Sequence, residues 1–228
     1  DTPRYRRGSA IGMKNTGVLL AEKGLFEGAE EKLRSSLELC ERLAADFPSV
    51  LEYGQMLAET YGMLGNLYAK VGRQQQAAEE YHRMLIRMDK LVAAFPDLPE
   101  LLNSLAWNLA NCPHLEFRDA QRAVELAGRA VQHAPRIGNY WNTLGVAHYR
   151  AGNWAQAVQT LGKSIELDGG SSLDWFPLAA AHWQLGNQQE ARALFEKAVQ
   201  WMDEKKPNDQ ELRQLRDEAA QFLGVAEK

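Results

Sequence analysis

Few residues of this 228-residue chain have the types and the spacing that chemistry requires. Gly162, Lys163 and Ser164 resemble the end of a phosphate-binding loop, but the first glycine of that motif would fall at position 157, which is Ala157. Such a loop also needs a strand before it and a helix after it, whereas this triplet lies inside a predicted helix. The motif is therefore incomplete, and we do not expect nucleotide binding there.

The histidines and cysteines form no recognisable site either. The five histidines show no metal-ligand spacing, and the sequence has neither a His-Glu-x-x-His nor a Gly-x-Ser-x-Gly motif. The two cysteines, Cys40 and Cys112, lie far apart, which is typical of reduced thiols in a reducing compartment. We therefore expect no catalytic, cofactor-binding or metal-binding residues, no enzymatic activity and a cytoplasmic location.

Charge and hydropathy narrow the range of partners. The net charge is −4 and the isoelectric point is near 5.8, whereas nucleic-acid-binding domains are usually basic. No apolar run approaches the length that a membrane span needs. Neither a nucleic acid nor a membrane is therefore expected to bind this segment.

The strongest feature of the sequence is a repeat. A pattern that begins at Trp141 recurs 34 residues later at Trp175: a large aromatic residue, a Leu-small pair, a turn glycine, and then Ala, a bulky apolar residue and a small one. A period of this length predicts a helix–turn–helix unit. The same template fits from Met13 and from Tyr61, where the second helices run on to Pro48 and Pro96.

These residues resemble the tetratricopeptide repeat family over nearly the whole chain. Because one helix pair cannot bury its apolar face alone, the pairs must stack on each other. The resemblance implies an all-α fold, a right-handed α-solenoid of antiparallel helix pairs forming one domain over residues 1–228. We expect about five units, over residues 3–47, 49–95, 98–135, 138–168 and 172–203, and a capping helix over 209–223.

Several short segments of the sequence are similar to those of a narrower group of repeat proteins. The segments LAADFP and LVAAFP, 48 residues apart, and runs such as LNSLAWNLANCP and DWFPLAAAHWQLG resemble the C-terminal repeat regions of planctomycete proteins. Many of those regions follow a serine/threonine protein kinase domain. Tyr5 also lies 48 residues before Tyr53, so the start is expected to be the middle of an earlier repeat in a longer array.

In the tetratricopeptide family the first helices of successive units line a concave groove that binds a protein or peptide. Asn side chains can donate to and accept from a peptide backbone, aromatic residues can take apolar anchors, and Lys and Arg can pair with acidic groups. The groove positions carried over to this sequence are Lys14, Asn15, Val18, Asn66, Lys70, Asn103, Trp107, Asn111, Asn142, Val146, Tyr149, Arg150, Phe176 and Trp183.

The sequence thus favours a protein–protein interaction scaffold that binds a peptide or partner protein in this groove without catalysis. Two alternatives stay open at this point. One is a regulatory or localising C-terminal segment of a bacterial serine/threonine protein kinase. The other is a structural spacer or self-assembly module, in which the open N-terminal edge would associate with another copy.

Overall fold

The computed structural model describes residues 2–225, including every side chain in that range except that of Gln210. Over this range the chain forms eleven α-helices and no strand, which confirms the predicted all-α fold class. The helices are α1 (Pro3–Glu22), α2 (Phe26–Asp46), α3 (Leu51–Lys70), α4 (Gln74–Ala94), α5 (Pro99–Asn111), α6 (Ala120–His133), α7 (Gly138–Arg150), α8 (Trp154–Asp168), α9 (Ser172–Gln184), α10 (Gln188–Lys205) and α11 (Gln210–Leu223).

The helices group into two compact units. The first comprises the residues up to Pro96 together with Asn111–Arg118, and the second comprises Asp97–Ala110 together with the residues from Asp119 onward. In the first unit, α1 packs on α2, α2 on α3, and α3 on α4. In the second, α6 packs on α7, α7 on α8, α8 on α9, and α9 on α10, while α11 packs mainly on α9 and also on α10.

Four of the helix pairs are joined by the same turn, at Gly24, Gly72, Gly152 and Gly186. Each of these glycines has φ between 75° and 85°, a left-handed conformation that glycine adopts without a steric penalty. The amide of the next residue then donates to the carbonyl five residues back, as Asn153 does to His148 at 2.9 Å. This bond is the signature of a Schellman motif, and the next helix starts directly after it.

A proline ends four of the helices, α2, α4, α6 and α10. Phe47, Phe95, Ala134 and Lys206 each precede a proline, and each has an extended φ between −133° and −147°. The ring of the following proline excludes the helical conformation at the residue before it. The sequence signal at Pro48 and Pro96 therefore marks true helix ends.

Small residues let the two helices of a pair approach closely. A Cβ atom built on Gly145 of α7 would lie 2.5 Å from Cγ of Leu161 of α8, and Leu161 is fully buried. In the first unit, a Cβ atom on Gly65 would lie 2.7 Å from the ring of Tyr81. These contacts explain the small residue that follows Leu in the repeat pattern.

The connection between α5 and α6 departs from the repeat. It contains a short 3₁₀ turn (Leu115–Phe117) rather than a single glycine. The Phe117 ring stacks on His82 with centroids 5.8 Å apart, and the ring of His114 lies 6.5 Å from that of Tyr81. These ring contacts pack the connection against α4, in agreement with its place in the first unit.

Candidate functional site

The predicted groove cations of the first unit are engaged within the unit. Lys14 of α1 forms an ion pair with Glu59 of α3, with 2.7 Å between Nζ and Oε2, and only 15% of its side chain is exposed. Lys70 lies with its Nζ 5.5 Å from the ring centroid of Phe26 and donates to the Ala21 carbonyl at 3.4 Å. The two lysines therefore join α3 to α1 and α2 in this structure.

The other predicted positions of the first unit vary in exposure. Oδ1 of Asn66 accepts a hydrogen bond from the Tyr81 hydroxyl at 2.7 Å, so this side chain positions a core tyrosine. Asn15 is exposed on α1, Val18 is half-buried, and Asn111 is half-buried at the end of α5. As ligand contacts, these residues stay predictions.

An ionic cluster around Glu30 also holds the first unit together. Burial would raise the pKa of Glu30, but hydrogen bonds from Arg73, Arg34 and Tyr68 outweigh that effect and lower it to about 2. The guanidinium of Arg73 also lies over the Tyr68 ring, 4.4 Å from its centroid. The cluster joins α2, α3 and the start of α4.

Several predicted groove residues of the second unit lie in its core. Val146 and Phe176 are fully buried, so the structure leaves them no surface with which to touch a ligand. The Phe176 ring instead packs edge-to-face on Phe195, with centroids 5.6 Å apart. Both residues fill space between helices, because α7 and α9 are each covered by more than one neighbouring helix. The prediction that they line the groove is therefore wrong, and they are core residues.

The predicted asparagines of the second unit are buried as well. Nδ2 of Asn142 on α7 donates to Oδ1 of Asp174 on α9 at 2.8 Å, which joins the two first helices directly. Asp174 in turn closes a capping box with Ser171 at the start of α9. Asn103 of α5 is 8% exposed, and among the described residues its buried Oδ1 accepts no hydrogen bond.

Three predicted groove residues contact α11. The indole Nε1 of Trp107 on α5 donates to Oε1 of Glu211 at 3.0 Å. The guanidinium of Arg150 at the end of α7 forms an ion pair with Glu218. The ring of Tyr149 lies edge-to-face with that of Phe222, with centroids 6.1 Å apart.

Trp154, at the start of α8, completes this surface. Its ring lies 6.2 Å from that of Phe222 at an interplanar angle of 70°, and 5.9 Å from that of Tyr149. We call Trp107, Tyr149, Arg150 and Trp154 the docking surface. The repeat pattern did not predict Trp154, because this residue belongs to a second helix; its proximity to Arg150 across the short turn was the available signal.

The ion pair between Arg150 of the docking surface and Glu218 of α11 is partly shielded from water. The side chains of Arg150 and Glu218 are 12% and 24% exposed, and the Arg150 guanidinium also lies 5.2 Å from the centroid of the Tyr149 ring. Withdrawal of the carboxyl group from water raises the pKa of Glu211, although part of the residue still faces solvent, and the bond from Trp107 opposes that rise. An ion pair that is mostly shielded from water is screened less by salt than an exposed one.

Trp183, the last predicted groove residue, is half-buried near the end of α9. The guanidinium of Arg192 lies 5.8 Å from its ring centroid, so a cation–π contact already covers part of the ring. This arrangement holds α9 and α10 together at their shared turn. A ligand role for Trp183 stays a prediction.

The described range shows no metal cluster and no membrane-spanning helix. No group of His, Cys, Asp and Glu side chains in residues 2–225 could hold a metal ion. None of the helices described there is both long enough and apolar enough to cross a membrane. Cys40 and Cys112 are buried free thiols, and burial raises the pKa of each.

The fold and its surface define a class of protein: a helical-repeat protein whose candidate binding residues lie mostly on the first helices of its pairs. A family model described as anaphase-promoting complex, cyclosome, subunit 3 matches residues 116–198. No curated protein matches the chain. The likeness to planctomycete and kinase-linked proteins is not shown by any of these matches and stays a prediction.

Solved structures of helical-repeat proteins match nearly the whole chain. TTC0263, a thermophilic TPR protein of Thermus thermophilus, is 20% identical, with 93% of this chain and 99% of that chain covered and a TM-score of 0.56. MamA from Desulfovibrio magneticus RS-1 is 15% identical over 87% and 97%, with a TM-score of 0.57. Pseudomonas aeruginosa pilF is 17% identical over 93% and 99%, with a TM-score of 0.52. These likenesses concern the fold, which is all-helical and similar to that of solved tetratricopeptide repeat proteins.

Proposed function

We propose that this chain is a non-catalytic scaffold that binds a segment of another protein on the docking surface of its second unit. Proteins with tetratricopeptide-type repeats generally mediate protein–protein interactions, which is the general class of function that the fold supports. The site within that class is our proposal. It rests on one observation: the docking surface already holds a helix, through an indole N–H, a guanidinium and two aromatic rings.

The chemistry of the docking surface suits a protein ligand. Trp, Tyr and Arg are the residues that most often carry binding energy at protein interfaces, because each has a large contact area and a polar group that fixes orientation. Trp107, Tyr149, Arg150 and Trp154 combine these types within one unit. A rigid scaffold of packed helices also lowers the entropic cost of binding, since its side chains are held in place before the ligand arrives.

The proposal is tested by locating a ligand on the protein. A phage-displayed library of random peptides is selected on the immobilised full chain, and enriched peptides are then photo-crosslinked to variants that carry benzoylphenylalanine. One variant replaces Trp107 on the docking surface, and the matched control replaces Gln159, which is exposed on α8. We expect crosslinks from position 107 and none from position 159.

Two results would contradict the proposal. Enriched peptides that crosslink from position 159 but not from position 107 would place binding on the second helices. A selection that enriches no peptide against the folded chain would argue against a peptide-binding surface altogether. Circular dichroism on both variants confirms that each retains the helical content of the parent.

A further inference from the structure

The helix α11 makes more contacts than a capping helix requires. A cap has to cover only the last pair of the array, α9 and α10, and α11 does pack on both. It also reaches Trp107 of α5 and Tyr149 and Arg150 of α7, which belong to earlier pairs. Trp107, Tyr149 and Arg150 are all among the groove positions predicted from the sequence.

The contacts of α11 lie on one stripe of the helix. Glu211, Glu218 and Phe222 are separated by seven and four residues. At about 100° per residue, their directions fall within roughly 40° of one another. Leu215 lies on the same stripe and is 3% exposed, and Leu212 and Ala219 beside it are also buried. The stripe therefore combines two carboxylates and one aromatic ring around an apolar centre.

Both ends of α11 are capped by residues of its own segment. Asp209 caps it through Oδ1, which accepts from the amides of Glu211 and Leu212 at 3.1 Å each, and Gly224 ends it with φ of 63°. Only the segment 206–209 joins it to α10. The Phe222 side chain keeps 38% exposure, so the aromatic contact at its end is not sealed from water. Because α11 satisfies its own ends, it can leave the docking surface without breaking backbone hydrogen bonds of another helix; the side-chain bonds from Trp107 and Arg150 are lost.

From these observations we infer that α11 is an internal ligand that occupies the docking surface and is displaced by a helix of similar pattern from a partner protein. The partner helix carries a carboxylate, a second carboxylate seven residues later and an aromatic residue four residues after that, around an apolar stripe. The inference rests on the proposed function and names the chemistry of its ligand. Carboxylates match Trp107 and Arg150, and the aromatic residue matches Tyr149 and Trp154.

A free helix has to compete with an α11 that is held close to the docking surface by the chain. A short flexible connection gives an attached helix an effective concentration on the order of millimolar, so a free helix must compete against that value. The helix α11 has 14 residues. Isolated helices shorter than about 12–15 residues are only marginally stable in water, so a free α11 peptide is close to that limit. Weakening α11 in the chain must therefore strengthen the binding of a separate helix, as long as the rest of the second unit stays folded.

The experiment uses the full chain and a fluorescein-labelled synthetic peptide with the sequence of residues 208–225. Binding is followed by fluorescence anisotropy for the parent chain, for Glu218→Arg, and for the control Gln221→Arg, which adds a positive charge at an exposed position of the same helix. In Glu218→Arg, two cations face each other at Arg150, and α11 is repelled. We expect this variant to bind the peptide at least tenfold more tightly than the parent chain and the control do.

A charge exchange then tests the identity of the site. On the Glu218→Arg chain, the natural peptide should bind at least tenfold more tightly than a peptide carrying Glu218→Arg. On an Arg150→Glu chain, the order of the two peptides should reverse, because the peptide arginine now meets a carboxylate. Equal binding of both peptides, or equal affinity of the Glu218→Arg and parent chains, would overturn the inference.

The remaining outcomes are also decisive. If Glu218→Arg and the milder Phe222→Ala both lose the helical signal of the second unit, α11 is structural and the inference is wrong. If light scattering finds a dimer of the parent chain that Glu218→Arg abolishes, the occupant is α11 of a second copy and not a partner. If displayed peptides crosslink from position 107 but α11 variants leave their affinity unchanged, the proposed function stands and this inference fails.

Discussion

Substitution of Gly145 by alanine isolates the close helix contact on which the repeat depends. Alanine adds one methyl group, whose carbon would lie 2.5 Å from Cγ, 2.7 Å from Cδ2 and 3.1 Å from the backbone nitrogen of Leu161. Leu161 is fully buried, and the atoms that the methyl group would meet include its branching Cγ and its backbone nitrogen rather than only the far end of its side chain. The methyl group must therefore push α7 and α8 apart.

The expected magnitude combines two opposing effects. Overpacking a filled core costs about 1–3 kcal/mol, and the short distance to a backbone atom favours the upper half of that range. Replacing glycine by alanine inside a helix returns about 1 kcal/mol through helix propensity. The net loss in the free energy of unfolding for Gly145→Ala is therefore about 1–2 kcal/mol.

Gly162→Ala provides a matched control. Gly162 lies in the interior of α8, next to Leu161, and a Cβ atom there would meet no atom within 4 Å. In this variant alanine favours the helix more than glycine does and overpacks nothing, so the free energy of unfolding should rise by about 1 kcal/mol. The two alanine variants should differ by about 2–3 kcal/mol, or roughly 5–10 °C in Tm for a chain of this size.

The assay is urea and thermal unfolding followed by far-ultraviolet circular dichroism on the parent and both variants. The reasoning fails if Gly145→Ala and Gly162→Ala shift the midpoint by the same amount in the same direction. In that case the contact with Leu161 either does not exist or relaxes without cost. Opposite shifts would confirm the steric basis of the small residue in the repeat.

Two further predictions concern the first unit. The pKa of Glu30 is about 2 in the folded chain, below its ordinary value of 4.5, so its charge stabilises the fold above pH 4.5 and this contribution is lost as the pH falls toward 2. Because the arginine partners of Glu30 are exposed, we expect its charge to contribute only about 1–3 kcal/mol to the free energy of unfolding. Urea unfolding at several pH values should show that the stability of Glu30→Gln falls less steeply at acid pH than that of the parent chain. Cys40 and Cys112 are buried with raised pKa values, so a thiol reagent such as dithionitrobenzoate should label them no faster than the unit opens; rapid stoichiometric labelling in native buffer would refute their burial.

Local features of this fold could be predicted from the sequence because they depend on residues close together in the chain. The turn glycines, the prolines at helix ends and the small residue at Gly145 each act within one helix pair. A left-handed turn requires glycine, a proline excludes the helix before it, and a close contact requires a missing side chain. Each requirement leaves a mark at a fixed position in the repeat.

The state of the binding surface could not be predicted in the same way. The pattern placed Trp107 and Arg150 on the first helices, but their partners in this structure, Glu211 and Glu218, lie 104 and 68 residues further along the chain. The sequence predicted a capping helix over residues 209–223, and one apolar face of that helix, formed by Leu212, Leu215 and Ala219, is buried. It did not indicate which surface the face covers, since many grooves accept the same stripe.

The helices, their turns and the packing within a pair thus follow from the amino-acid sequence, because local sterics admit few alternatives. The tertiary structure alone decided which of the candidate binding side chains are used internally. Lys14 is neutralised by Glu59, Val146 and Phe176 lie in the core, and Arg150 pairs with α11. These outcomes depend on which distant elements meet after folding, and such contacts leave no periodic signal in the chain.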